Sequence, residues 1–324
     1  DDAISNSFNV LRTRIDRFGV VQPNIQKIGN SGRILIELPG VKEPERVRKL
    51  LQGSANLEFW ETYDLSEIFN NLVEANRILS SLNVVDSTLL QKKDTLSALP
   101  TAETKTPEKI SAVDSLKAAL EKKEVDADTL KTLEKQRKEN PLFSVIQLNT
   151  YQGQIGRGPL VGLVHSRDTS LVNSYLKIKQ VREVLPRDLD FRWSVKPRDE
   201  KGEWFELIAI KVNTRDGRAP LSGDVITDAR ADFDQTSAYA NVSMKMNAEG
   251  AKTWARMTRD NIGKSIAIVL DGYVYSYPTV QNEITGGSSQ ITGNFTVQEA
   301  KDLANVLKSG KMPAPAHIVQ EDVI

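Results

Sequence analysis

Helix-length and strand-length apolar patterns alternate at both ends of this chain, with a polar stretch between them, and no other feature limits the fold as much. Near the start, Phe8, Leu11, Ile15 and Phe18 fall at 3-4-3 spacing, one stripe of an amphipathic helix that Gly19 ends. Two strands follow, about 24–29 and 33–38, around a tight Asn30-Ser31-Gly32 turn, with Ile34, Ile36 and Leu38 on one face. Pro44 opens a helix where a missing N–H is tolerated, and Val47, Leu50 and Leu51 give its apolar stripe before Gly53. Ala55 to Trp60 closes the run as a strand.

The far end repeats the alternation. Asn247 caps a helix carrying Ala251, Trp254, Ala255 and Thr258, and Ile266 to Leu270 is a continuous apolar run that reads as a buried strand. Asp271-Gly272 is a hairpin turn into Tyr273-Val274-Tyr275, and another strand follows Gly286-Gly287 and includes Ile291. Thr296 and Glu299 make a capping box for a helix with Ala300, Leu303, Ala304 and Leu307 on one face, stopped by Gly310, Pro313 and Pro315. A last strand is predicted through His317-Ile318-Val319. Taken together, the two ends predict an α+β fold whose base is a ferredoxin-like antiparallel sandwich, built discontinuously from residues 1–61 and 223–324.

The middle has a different texture. Leu65, Ile68, Phe69, Leu72, Ile78 and Leu79 predict a helix over 65–82, after which about Gln91 to Asn140 turns to Lys, Glu, Asp, Thr and Ala. So little apolar surface does not offset the entropy of ordering, and residues 62–140 are expected either to dock as helices or to form a partly disordered linker. Residues 141–222 regain strand character and predict an α+β head. Its elements are strands at 145–148 and 160–164, a helix over 171–184 and a hairpin from Phe191–Val195 to Trp204–Val212.

Composition excludes several classes. Lys+Arg and Asp+Glu are both 43, so the chain is formally neutral and has no global field to gather nucleic acid or an anionic membrane. Cysteine is absent, which removes disulfides, thiolate catalysis and Cys-ligated metals. Only His165 and His317 are available to imidazole chemistry, so no His-rich metal site is expected. No apolar stretch approaches the roughly 20 residues of a membrane span. The chain starts at Asp1 rather than Met, which reads as a processed product or an excised segment.

The motifs that could carry chemistry have plainer readings. Gly286-Gly287 lacks the strand and helix context of a phosphate cradle and suits a hairpin or bulge. Gly153, Gly156 and Gly158 fall in the wrong order for a dinucleotide loop. Asp224, Asp228 and Asp232 recur at i, i+4, i+8, and with Asp234 they raise a divalent-cation site, against the commoner reading of a solvated helical face. Tyr273, Tyr275 and Tyr277 alternate and are predicted to share one face of a strand. The pairs Lys92-Lys93 and Lys122-Lys123 are flanked by acids and read as solvated linker. No cofactor, metal or catalytic residue is expected.

From Ile266 to Val319 the chain carries Asp271, Gly272, Pro278, Ile284, Gly286, Gly287, Ile291, Gly293, Phe295, Thr296, Glu299, Ala300, Leu303, Ala304, Leu307, Gly310, Pro313 and Pro315 in order. That succession resembles the first large periplasmic domain of SecD, the accessory subunit of the bacterial Sec translocase. Val10 to Val41 is similar to the same domain's opening, and Pro220 to Asp234 to its re-entry segment. The family's usual strand ahead of the first helix has no counterpart here. Residues 62–140 match no segment of the common pattern, as in a lineage with an enlarged insert, with SecD and SecF separate or fused.

The resemblance implies a base near the membrane and a moving head inserted into it, on the periplasmic side of the bacterial inner membrane. It implies a non-enzymatic role in proton-motive-force-driven preprotein translocation. The partners would be the unfolded preprotein, SecF and the Sec translocon channel, with no nucleic acid. Proton-conducting residues of the family lie in membrane helices outside these 324 residues. A hinge is expected where the chain crosses between base and head, at Glu61-Thr62 and at Pro220 to Gly223. Val145, Leu148, Trp204, Leu207 and Ile210 either line part of a groove for an unfolded chain or form the head's core. The alternative from another class is a ferredoxin-like small-molecule-binding or enzymatic domain.

Overall fold

The computed structural model describes residues 2–18, 23–29, 31–41, 44–82, 137–233, 239–312 and 316–321. Most of the polar segment from Gln91 to Asn140, with both lysine pairs, lies outside the described residues, as do Gly19, Asn30, Asp234, Pro313 and Pro315. In chain order the first elements are α1 (Asp2–Phe18), β1 (Asn24–Ile28), β2 (Arg33–Glu37), α2 (Pro44–Gln52), β3 (Leu57–Glu61) and α3 (Leu65–Ser81). Then come β4 (Ile146–Leu148), β5 (Thr150–Tyr151), β6 (Gln154–Ile155), β7 (Leu160–His165), α4 (Thr169–Lys177), α5 (Lys179–Val184), β8 (Leu189–Trp193) and β9 (Trp204–Lys211). The last stretch holds β10 (Leu221–Ser222), β11 (Ile226–Phe233), β12 (Ala240–Met246), α6 (Ala248–Asp260), β13 (Ile266–Leu270), β14 (Tyr273–Ser276), β15 (Ser288–Phe295) and α7 (Val297–Ser309). The fold is α+β, and its strands pair antiparallel.

The chain divides into two compact units. Unit 1 comprises Asp1–Leu65, Thr150–Val161 and Asp188–Ile324, and unit 2 comprises Ser66–Asn149 and Gly162–Arg187. Contacts therefore group residues 188–222 with both chain ends, whereas the composition set them apart with 141–187.

Unit 1 is organised by a four-stranded sheet in the order β10-β3-β13-β14. Every residue of β13 is buried, because apolar layers cover both sheet faces. On one face Leu57, Phe59, Ile266, Ile268 and Leu270 join Trp254 and Met257 of α6, Leu303 and Leu307 of α7, and Val242 and Met244 of β12. On the other, Trp60, Ala267, Val269 and Val274 pack with Ile208 and Ile210 of β9. A second sheet, β11-β12-β15, contributes its inner face to the first of these cores.

The two ends of the sequence thus share one body and, through β3 and β13, one sheet, which the hairpin of β1 and β2 does not join. β1 and β2 pair only with each other among the described residues, while β3 joins β10 and β13. The physical difference is burial: β1 and β2 are largely exposed, whereas β3 is buried or half-buried at every position. A strand of the first kind cannot extend a sheet covered on both sides.

Helix ends follow local chemistry. Asn247 Oδ1 accepts from the Gly250 amide at 2.8 Å and starts α6. Thr296 and Glu299 close the predicted capping box around α7. Gly250 lies where α6 meets the 223–225 turn: a Cβ there would stand 2.6 Å from Val225 Cβ and Cγ2. Gly250→Ala gains up to about 1 kcal/mol of helix propensity but overpacks by about 1–3 kcal/mol. Net destabilisation of up to about 2 kcal/mol is expected in urea unfolding, with the clash outweighing propensity.

In unit 2, Ile68, Leu72, Ala75 and Leu79 make the fully buried stripe of α3, and β4 pairs with β7 through Ile146↔Val164 and Leu148↔Gly162. Asn76 is satisfied by Asn140 Oδ1 and the Leu142 amide, both at 3.0 Å. The helix predicted over 171–184 is two helices, broken at Ile178, which has ψ 131°. Val172 and Val181 are both buried. At about 100° per residue a straight helix would put them on opposite faces. The break turns both inward.

The strand predicted at His317–Val319 does not form. Ile318 and Val319 are exposed and join no sheet among the described residues, and Arg48 Nε meets Glu321 in this tail at 2.5 Å.

Candidate functional site

An open groove in unit 1 begins with β12. Its sequence Ala-Asn-Val-Ser-Met-Lys-Met alternates, so Ala240, Val242, Met244 and Met246 are buried and Asn241, Ser243 and Lys245 point away from the core. Register then builds polar rows across three strands: Arg230 opposite Ser243 opposite Gln290, and Asp228 opposite Lys245 opposite Ser288. The other wall is the segment 278–284, tied down by Val280 N to Lys264 O (2.8 Å), Gly263 N to Val280 O (2.9 Å) and Ile284 N to Thr258 Oγ1 (2.9 Å). Between them lies an open groove of about 830 Å³, lined also by Trp254, Ile266 and Met244. The indole Nε1 of Trp254 is buried and has no hydrogen-bond acceptor among the described residues.

The groove's charges balance locally. Asp228 accepts from Lys308 at 2.8 Å and from Arg230 at 2.9 Å, and Ser243 donates to Asp232. The bond from Lys308, with that from Arg230, holds the Asp228 carboxyl below the usual carboxylate range. A depressed carboxylate contributes its ion pairs above the unfolded value of about 3.9 and loses them as pH falls through the lower folded value. Lys308→Ala is expected to move the Asp228 midpoint up toward that ordinary value, read by carboxylate NMR titration.

The aspartates predicted on a helical face lie instead on β11 and the turn before it, where period-2 geometry puts Asp228 and Asp232 on the same side. No group of three potential metal ligands exists among the described residues. The tyrosines do not share a face. Tyr275 stacks on Phe295 at 6.2 Å, while Tyr277 packs with the opposite core and donates to Glu206 at 3.0 Å. The strand ends at Ser276, and the register shift at Ile268/Val269 breaks the alternation. His165 accepts from the Arg167 amide at 3.3 Å and His317 is exposed in the tail. Gly286-Gly287 leads into β15, the Gly287 carbonyl accepting from Met246 N at 2.8 Å.

Glu61 pairs with Ile266, and Thr62 is buried and donates to Ser265 O at 2.7 Å. Pro220 and Gly223 flank β10, which pairs with β3, and a Cβ on Gly223 would stand 2.9 Å from Leu57 Cβ. All four candidate hinge residues lie within unit 1, and none stands at a unit boundary. Val145 and Leu148 are half-buried in unit 2 and Trp204 is half-buried in unit 1. Leu207 and Ile210 are 1% and 0% exposed, so they are core and offer no contact surface. β9 is buried there because its Ile208 and Ile210 cover the second face of the β13 sheet.

Two family models match the chain: "SecD_1st: Protein translocase subunit SecDF, P1 domain, N-terminal" over residues 4–64, and "SecDF, P1 head subdomain" over residues 202–314. These describe the P1-domain class of protein translocase subunits, and no described helix is long and apolar enough to cross a membrane. The "Protein translocase subunit SecD" of Rhodothermus marinus is 37% identical over 327 residues, covering 100% of this chain and 47% of that protein. The same-named protein of Desulfurispirillum indicum is 28% identical, covering 99% and 41%. A solved structure described as "Structure and function of a membrane component SecDF that enhances protein export" is 25% identical, covers 100% of this chain and 94% of that one, and has a TM-score of 0.46. The chain belongs to the SecD/SecDF P1-domain family of protein translocase subunits, and it spans about half the length of the curated relatives it matches.

Proposed function

We propose that this chain is the periplasmic domain through which a SecD-type subunit transiently contacts an unfolded preprotein as it emerges, in concert with SecF and the translocon channel. Energy would come from the proton-motive force acting on membrane helices outside these residues. The observation that supports this reading is the 37% identity to a named translocase subunit along the whole chain. Contact would be weak and tolerant of sequence, since a translocation aid must release what it holds.

The test places photo-crosslinking amino acids across both units of the full-length parent in cells carrying a stalled preprotein. Adducts dependent on the stall are expected. Their absence at every position, with export intact, would overturn the reading.

A further inference from the structure

We propose that the groove of unit 1 is where the client lies, as an extended segment recognised through its main chain. This rests on the client-contact reading above and specifies it. Three features of the groove converge on a backbone ligand.

First, its charges cancel: Asp228 and Asp232 are balanced by Arg230 and Lys245, so no single sign recruits a nucleic acid or an anionic lipid surface. Second, its remaining polar groups include Gln290 and Asn282, amides that both donate and accept, and Ser243, whose hydroxyl donates to Asp232 and still accepts. That duality matches the alternating N–H and C=O of an extended chain, whatever its side chains. Third, the Trp254 Nε1–H is a buried donor with no acceptor among the described residues, beside apolar wall residues Ile266 and Ile284. A peptide carbonyl supplies the missing acceptor, and the apolar wall takes a side chain without directional demand. The outcome is affinity without sequence choice.

The experiment uses the 324-residue chain with reduced, alkylated α-lactalbumin as an unfolded probe. A benzophenone amino acid replaces Gln290 or Asn282 in the groove, or Glu67 on unit 2. Adducts are expected at the first two positions and not the third. Trp254→Phe keeps the ring and removes the donor, and is expected to weaken binding about 2- to 10-fold. Gln290→Ala, at an exposed position and so expected to leave the thermal midpoint unchanged, is expected to weaken it too, which separates loss of binding from loss of fold. Adducts at Glu67 with none in the groove overturn the site and leave client contact standing. No adduct at any position counts against both. Competition by chitohexaose, with binding to that glycan tighter than to the polypeptide, overturns the main-chain assignment in favour of a saccharide.

Discussion

Truncating Phe59 to alanine is expected to destabilise the protein by about 3–5 kcal/mol, the usual cost of an emptied core aromatic site. At roughly 2–4 °C per kcal/mol, the thermal midpoint should fall by about 6–20 °C. Phe59 is 0% exposed and sits in β3 between two partners, opposite Leu221 on one side and Ile268 on the other. Its ring lies 5.1 Å from that of Trp254 at 58°, an arrangement that adds about 0.5–1.5 kcal/mol beyond area burial. Phe59→Leu keeps most of the volume and should cost under about 1.5 kcal/mol. If Phe59→Ala unfolds at the wild-type midpoint, the β3–β13 layer is not the organising core described above.

Arg14→Ala is expected to cost about 3–5 kcal/mol, comparable with breaking a buried charged network. Arg14 has no exposed surface, yet its guanidinium reaches three acceptors: Gly53 O, Ser309 Oγ at 3.1 Å and Gly310 O at 3.3 Å. Gly53 follows α2 and Gly310 follows α7, so one cation satisfies carbonyls at two helix C-termini, where the helix dipole favours positive charge. Burial pulls its pKa down to about 10, partly offset by Asp271, and it stays protonated at neutral pH. Lysine, a point charge without the planar fork, should recover only part of the loss. Urea unfolding measures the total. Hydrogen exchange should show α2 and the end of α7 loosening together in Arg14→Ala, and unchanged protection there would refute the shared-cap account.

Much of the fold was legible because its signals are local. The capping box at Thr296 and Glu299, the Asn247 cap, the Asp271-Gly272 hairpin and the apolar run 266–270 each formed at the expected place. What was not legible depends on distant partners. The ends of the chain alternate as one sandwich would, but which strand joins which sheet is decided by burial that β1 and β3 acquire from other segments. The tail carries strand-forming residues that stay exposed and pair with no described strand. The tyrosine row failed at a register shift that only the β13–β14 pairing reveals. The groove left a partial trace, since Asn241, Ser243 and Lys245 alternate visibly with buried residues, but its second wall and the unpartnered indole come from tertiary packing.

The pairing of β3 with β13 has a consequence for synthesis and export. Glu61 meets Ile266 about 200 residues later in the chain. At ribosomal speeds of about 5–20 residues per second, Phe59 and Trp60 wait roughly 10–40 seconds for the strand that will shelter them. Until then β3 is one half of an unfinished pair, sticky and pairable, and it becomes safe only once β13 has been made.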